Sequence, residues 1–348
     1  MYFVNLKGRA IMKYLRTAWF PILLGLLILS IILGRLLLVP HKTIVQSSHV
    51  PFQENELWAP PREEEIQSDS VGDLIRYGRD LVVNTSRYLG PKGIVDQVSN
   101  GMNCQNCHLD AGSRNFANPF SAVASTYPKY RDRSGRVESI EFRVNDCLLR
   151  SLNGKAIDSA GPEMRAFVAY LEWIGKDVPK GFKPKGAATG NLPFLARAAD
   201  PARGAQVYTA NCVRCHGENG SGLYNNDSTA FTYPPLWGEH SFNAMAGMFS
   251  LSRLAGFIKF NMPFDRADWR NPQLSDEDAW DVAAYVASQN RPIKTFPGDW
   301  KQINKKPLDY PFGPYADAFS EQQHKYGPFD IIKKSREKDM AEKKDKNK

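Results

Sequence analysis

Two pentapeptides, C-Q-N-C-H at residues 104–108 and C-V-R-C-H at residues 212–216, determine how the rest of this sequence is interpreted. Each has two cysteines around two residues, followed by a histidine. The pattern is typical of covalent haem c attachment, with two thioether bonds to the porphyrin and the histidine on the iron. One match could arise by chance, whereas two matches in separate segments of small-domain size predict two haem c groups. The predicted attachment residues are Cys104, Cys107, Cys212 and Cys215, and the predicted iron ligands are His108 and His216.

Cys147 is the only one of the five cysteines outside these motifs, and it lies in R-V-N-D-C-L-L-R-S-L-N-G-K at residues 143–155. In a compartment that permits disulfides, an unpaired thiol is either reactive or a ligand. The alternative is a buried cysteine that only packs in the core. The position of Cys147 relative to the haem motif decides between these interpretations.

The N-terminal residues 1–40 predict a membrane anchor or a signal. Residues 18–34 carry no charge and, after Arg35, four more apolar residues follow, which approaches the roughly 20 that a membrane helix needs. Basic residues without acids precede this segment, so the N-terminus should stay cytoplasmic and the chain after Pro40 should be exported. We therefore expect an uncleaved helix at residues 18–39 that holds the protein on the periplasmic side of the inner membrane. A cleaved signal peptide and a soluble periplasmic protein are the alternative.

The net charge of +8 comes from the two ends of the chain. Residues 1–35 contribute +5 and residues 333–348 contribute +4, which leaves the middle at −1. This distribution does not predict a basic face for nucleic acid. The charged C-terminal end is expected to be solvated and disordered.

Two helical units, residues 71–180 and 198–292, are predicted between these ends. A proline-punctuated linker at residues 41–70 precedes them, a linker at 181–197 joins them, and an extended strap with the charged tail follows at 293–348. Each unit has an opening helical pattern, one C-x-x-C-H motif and a closing amphipathic helix, which begins at Pro162 or after Ser275. This order resembles class I cytochrome c. The resemblance implies an all-α protein with two cytochrome c-like domains in tandem. The apolar N-terminal segment adds one transmembrane helix before them.

Spacing from the closing helix identifies a second ligand in each unit. Met262, followed by proline, lies 46 residues after His216 and 23 before Tyr285. A methionine in this position is typical of cytochrome c and raises the reduction potential. Met245 and Met248 are rivals, but both sit in an apolar helical run, which is more typical of packing residues.

Counting 23 residues back from Tyr170, the equivalent of Tyr285, leads to Cys147, which is 39 residues after His108. Met164 falls too late in the unit and Met102 too early. A thiolate ligand stabilises ferric iron, so the first haem should have the lower potential.

The helical pattern around Cys147 places polar groups beside it. The helix is expected from about Glu138, with Gly154 as a left-handed cap. Residues four apart share a face, so Arg143, Cys147 and Ser151 should lie together, with Arg150 and Lys155 close by. Arginine side chains bind tetrahedral oxyanions through two hydrogen bonds. Solvated surface charges or haem-propionate partners are the alternative interpretation.

The stretch R-V-N-D-C-x-x-R-S-x-N-G-K, with N-G-M-N-C-Q-N-C-H-L-D-A-G before it and F-I-K-F-N-M-P-F after it, resembles the dihaem thiosulfate dehydrogenase family of the TsdA type. The resemblance covers most of residues 71–292. It implies that Cys147 is both the axial ligand and the catalytic sulfur, and that Met262 binds the second haem. Arg143 and Ser151, with Arg150 or Lys155, would hold the substrate. Some members have lysine just before the methionine; this chain has Asn261 there, and Lys259 is not at the matching position.

The resemblance also implies the reaction, in which two thiosulfates form tetrathionate and release two electrons, or the reverse. Electrons would pass from the first haem to the second and then to an exported c-type cytochrome or similar carrier. A membrane-tethered dihaem electron shuttle without its own substrate is the rival function. It leaves a cysteine beside arginines at a distal-ligand position without a role. His240 and His324 are expected to be surface or packing residues.

The anchor prediction can be tested by fractionation. Because an apolar helix of this length inserts stably in a bilayer, the full-length protein should stay in the membrane fraction after a salt wash. N-terminal sequencing that begins beyond Pro40 would contradict the prediction and establish a processed protein instead.

Overall fold

The computed structural model describes residues 25–30 and 57–346, and the chain divides into two units, Met1–Pro51 and Phe52–Lys348. In the first unit, residues 25–30 are helical. No helix within the described ranges is both long and apolar enough to cross a membrane. The predicted anchor at residues 18–39 otherwise lies outside the described residues.

The second unit is rich in helices. Numbering the helices of six or more residues from Ser70 onward, they are α1 Ser70–Val83, α2 Ile140–Arg150, α3 Pro162–Ile174, α4 Pro201–Asn211, α5 Leu251–Asn261, α6 Asp276–Ser288, α7 Glu321–Tyr326 and α8 Phe329–Lys346. Shorter α-helical turns lie at Thr85–Leu89, Leu109–Gly112, Val123–Thr126 and Val213–His216, and 3-10 turns lie at Glu63–Glu65, Cys104–Asn106, Gly247–Phe249 and Ile303–Lys305.

Helix ends follow local sequence signals. The side chain of Ser275 accepts a hydrogen bond from the Asp278 amide and caps α6, as predicted. Pro162 occupies the first turn of α3, also as predicted, where its missing N–H costs nothing. Ser139 caps α2 in the same way as Ser275 caps α6.

The C-terminal end of α2 differs from the expectation. The helix ends at Arg150, and the left-handed residue that follows is Asn153, with φ 46°, rather than Gly154. Gly154 is required for a different reason, because a Cβ there would lie 1.9 Å from the carbonyl oxygen of Val98.

In both halves, the opening and closing helices cross at a glycine. A Cβ at Gly78 of α1 would lie 1.9 Å from the carbonyl oxygen of Ala166 and 2.8 Å from Cβ of Tyr170 on α3. The crossing of α4 and α6 repeats this contact between Gly204 and Tyr285, with the Asp281 carbonyl 1.9 Å from the position of a Cβ. The contacts therefore support the sequence equivalence of Tyr170 and Tyr285 on which the ligand spacing depends.

The all-α expectation needs a correction. Two short antiparallel ribbons are present: β1 Lys129–Arg131 pairs with β2 Arg136–Glu138, and β3 Leu223–Tyr224 pairs with β4 Phe231–Tyr233. Strands of two or three residues are too short to give an alternating pattern, so sequence periodicity did not reveal them.

The C-terminal end also differs from the expected disordered tail, because α8 continues to Lys346. Phe329 and Ile332 are buried at its start, so their packing stabilises a helix whose later residues are polar. The buried ring of His324 bonds the Leu308 carbonyl through Nδ1, at 2.6 Å, and Asp317 through Nε2, at 2.8 Å. His324 is therefore a packing residue, as expected.

The glycine crossing generates a stability prediction. Gly204→Ala would force a methyl group into the α6 backbone, so we expect the free energy of unfolding to fall by about 3 kcal/mol. Gly298→Ala is the matched control, since a Cβ there meets nothing within 4 Å. Thermal and urea unfolding would measure both variants. Equal stability of the two would contradict the crossing as a packing constraint.

Candidate functional site

A cavity of about 460 Å³ joins the first haem motif to Cys147. Cys104, Cys107 and His108 line it together with Arg143, Cys147, Leu148 and Ser151 from α2 and the turn that follows. The half-buried Cys147 is thus in the same cavity as the haem attachment residues. This placement supports the spacing argument, although the ligand role itself remains a prediction.

The hydrogen bonds of both motif histidines leave Nε2 free of the proton and suited to bind iron. The Nδ1 of His108 donates to the Asn118 carbonyl oxygen at 2.6 Å, and that of His216 donates to Pro234 at 2.8 Å. Burial lowers the pKa of His108 to about 4 and also lowers the pKa of His216. A neutral imidazole with its Nδ1 proton held by a carbonyl is the form that binds metal.

A second cavity of about 430 Å³ contains the other motif. Cys212, Cys215 and His216 line it, and both Met248 and Met262 reach it. Met262 directly follows α5, whereas the sulfur of Met248 accepts a hydrogen bond from the Asn118 side-chain amide at 3.4 Å. Met245 is not among the lining residues. Met248 packs against the hydrophobic core, as expected of a packing residue, but it lies in a 3-10 turn before α5 rather than in a longer apolar helix.

An unpaired guanidinium beside the second cavity fits the carboxylates of a haem. Arg291 packs 4.4 Å over the rings of Phe242 and Phe249, and its Nη2 donates to Val286. Its Nε and Nη1 are buried without a hydrogen-bond partner among the described residues. Phe242 and Val286 line the second cavity, so the propionates of a bound haem are suitable acceptors for these donors.

The two cavities are neighbours. Met102, Asn103 and Cys107 line both of them. Asn118 also connects them, because its carbonyl holds His108 while its side-chain amide contacts Met248. The two cavities therefore share part of their walls.

Arg143 is the cation most closely associated with Cys147. Its pKa is raised, first by electrostatic interaction with the Cys147 sulfur, against an opposing effect of burial, and then by Asp146. Its Nη1 donates to Asp146 at 2.6 Å. Arg143 and Ser151 line the cavity, as the helical-face argument predicted.

Arg150 and Lys155 are not placed as predicted. The side chain of Arg150 is only 7% exposed, and it pairs with Asp146 and Asp299. Lys155 is exposed, with its backbone amide bonded to Val98. Neither residue is part of the cavity lining. The helical-face argument did not include the distant segment that contains Asp299 and provides an acidic partner for Arg150.

Four further cationic side chains line the cavity of Cys147 and were not predicted: Lys129, Arg131, Lys183 and Arg253. Among the described residues, none of the four has a carboxylate within ion-pair distance, and the cavity lining contains no acidic residue. The basic residues close together around Arg131 could have indicated an anion-binding segment from the sequence alone. Arg253 could not be found in this way, because it lies on α5, in the half of the chain that holds the second haem motif.

The paired cavities define a c-type cytochrome with two haem c sites. Residues 201–290 match the family model of cytochrome c, and residues 95–179 match that of the SoxA/TsdA cytochrome c domain. The chain is 39% identical over 235 residues to the thiosulfate dehydrogenase of Thiomonas intermedia, covering 68% of this chain and 71% of that relative. The chain belongs to the thiosulfate dehydrogenase family.

Other relatives agree. The thiosulfate dehydrogenase of Allochromatium vinosum is 39% identical over 232 residues, which cover 66% of this chain and 82% of that one. A solved structure of thiosulfate dehydrogenase (TsdBA) from Marichromatium purpuratum superimposes with a TM-score of 0.62 at 32% identity. The superposition covers 68% of this chain and half of that longer chain.

The ligand assignments can be tested by spectroscopy. Cys147→Gly should remove a ferric thiolate-type signal while leaving the second haem intact. Met262→Leu should remove the methionine-ligated signature and lower that haem's potential, because the thioether favours ferrous iron. Met248→Leu is the matched control in the same cavity and should change neither. Survival of the thiolate signal without Cys147, or exchange of the two methionine phenotypes, would overturn the assignments.

Proposed function

We propose that this protein interconverts thiosulfate and tetrathionate, with two thiosulfates forming one tetrathionate and two electrons in the oxidative direction. Family membership supports the reaction. The observation that carries it for this chain is the placement of Cys147 in an acid-free cavity lined by cations, together with the first haem motif.

The cations of the cavity suit a reaction between two dianions. Arg143, Arg131 and Arg253 are guanidinium groups that can bind sulfonate oxygens through paired hydrogen bonds. Lys129 and Lys183 add positive charge at exposed positions of the lining. Together these residues lower the repulsion between two thiosulfates that must approach the same sulfur atom.

Cys147 supplies the sulfur on which the coupling takes place. Its Sγ forms a sulfur–sulfur bond with the outer sulfur of the first thiosulfate, and this oxidation releases two electrons. The outer sulfur of the second thiosulfate then attacks that bound sulfur, as in thiol–disulfide exchange. The new bond completes tetrathionate, and Cys147 leaves as the thiolate. Atoms and electrons balance, because only the first step is an oxidation.

Two covalently bound haems supply one-electron acceptors and donors next to this cysteine. The residues shared by the two cavity walls support electron exchange between them. We further infer that an exported c-type cytochrome or similar carrier exchanges electrons with the protein, on the periplasmic side of the inner membrane. Predicted haem c attachment and the apolar N-terminal sequence support this location, and the fractionation described above tests it.

The rival function is electron transfer without a substrate. It accounts for two haem sites, but it gives no reason for a cavity in which a cysteine lies among five cations and no acid. We therefore favour the enzyme.

An assay in both directions tests the proposal, with an artificial acceptor for thiosulfate oxidation and an artificial donor for tetrathionate reduction. Wild-type protein should be active in at least one direction and Cys147→Gly inactive in both. Arg143→Ala should lower kcat/KM about 10- to 100-fold, because charge-assisted hydrogen bonds to the dianion are lost.

Lys155→Ala is the control, since this lysine does not line the cavity, and its kinetics should match the wild type. Inactive wild-type protein with two intact haems would favour the electron shuttle. A fully active Cys147→Gly variant would keep the enzyme but reject the role of this sulfur.

A further inference from the structure

A row of four alternating charges, joined by hydrogen-bonded ion pairs, runs from the C-terminal strap, residues 293–319, to the cavity. Asp299 accepts hydrogen bonds from Nη1 and Nη2 of Arg150, each at 2.8 Å. The Nε of Arg150 donates to one oxygen of Asp146, and the other oxygen of Asp146 accepts from Arg143 at 2.6 Å. Arg143, at the end of this row of charges, lines the cavity of Cys147.

The three members of this row other than Arg143 are shielded from water. The side chains of Arg150, Asp146 and Asp299 are 7%, 9% and 9% exposed, and the ring of Phe296 lies 3.7 Å from the guanidinium carbon of Arg150. Buried charges need partners, and removal of one partner is costly because it leaves the other uncompensated. The arrangement of the three is therefore coupled, whereas an exposed pair would be only weakly constrained.

Two arginines and two aspartates form this row, and the second aspartate, Asp299, affects how Arg143 is held. Asp146 alone would be shared by two guanidinium groups that compete for its two oxygens. Asp299 takes both Nη groups of Arg150 and leaves only its Nε for Asp146. One oxygen of Asp146 consequently stays available to hold Arg143, which is 31% exposed at the cavity and has freedom to move without it.

Asp299 is itself held in place by its neighbours in the strap. The Trp300 amide donates to the Arg133 carbonyl at 2.6 Å, in the turn between β1 and β2. The ammonium of Lys294 donates to the carbonyls of Asn153 and Gly154, at 2.9 and 2.7 Å, just beyond α2. The strap is thus fixed on both sides of the helix that carries Arg143.

We propose that Asp299 is a positioning residue for substrate binding: through Arg150 and Asp146 it orients the Arg143 guanidinium toward the anion at Cys147. The inference rests on the proposed function. It assigns a role in thiosulfate recognition to a segment outside both predicted cytochrome units. Asp299 touches neither the substrate nor Cys147 and acts only through Arg143.

The test combines kinetics with a double-mutant cycle on the haem-loaded protein. Asp299→Asn keeps the shape but removes the charge, and it should lower kcat/KM for thiosulfate about 10- to 100-fold, the scale of a 1 Å misplacement. The effect should lie mainly in KM, with both haem spectra unchanged. Asp299→Glu should restore part of the loss. In the Arg143→Ala background, Asp299→Asn should cause no further loss, because residues that act through each other are not additive.

Asp317→Asn is the matched control, since Asp317 is another buried strap carboxylate, 4% exposed, with an arginine partner, Arg336. It should lower thermal stability without changing KM. A loss that adds fully to Arg143→Ala, or an Asp299→Asn variant with wild-type kinetics, would overturn the inference alone. Wild-type protein that is inactive in both directions and does not bind thiosulfate in calorimetry would overturn the proposed function, and this inference with it.

Discussion

The contact on which the haem sites depend is the close crossing of two helices at a glycine. Gly78 and Gly204 bring the backbone of one helix against Tyr170 and Tyr285 of another, at distances that no side chain would permit. Each crossing joins the start of a unit to its end, so the chain between must form a loop around the cavity. The haem motif and the predicted distal residue lie in that loop, and both line the same cavity.

The two halves of the chain share the same helical unit, but the residues that line their cavities differ in chemistry. The second cavity has a mostly apolar lining with methionines, and beside it lies Arg291, whose Nε and Nη1 are buried without a hydrogen-bond partner among the described residues. In the part of the chain that the structure describes, the lining of the first has a cysteine, five cations and no acid. The second haem site and the proposed site for anionic sulfur compounds thus occupy adjacent cavities. Asn118 links them, because its carbonyl accepts from His108 of the first cavity while its side-chain amide contacts Met248 of the second.

Buried ion pairs around α2 separate the cations that serve the cavity from those that serve the fold. Arg143 and Arg150 are one turn apart or less from Cys147, yet only Arg143 reaches the cavity lining. Arg150 forms a buried bidentate ion pair with Asp299 instead, and such a pair holds its guanidinium away from the cavity. Proximity in a helix is therefore insufficient to assign a binding role.

Covalent and local features were determined by the sequence itself. The haem attachment residues follow from a motif whose chemistry requires that spacing, and Ser275 and Pro162 mark helix starts because capping involves only neighbouring residues. The positions of Cys147 and Met262 followed from a spacing that two similar units repeat. Only the tertiary structure decided which cations line the cavity. Arg253 and Asp299 come from segments more than a hundred residues away from Cys147, and burial and ion pairing between such segments leave no periodic signal in the sequence.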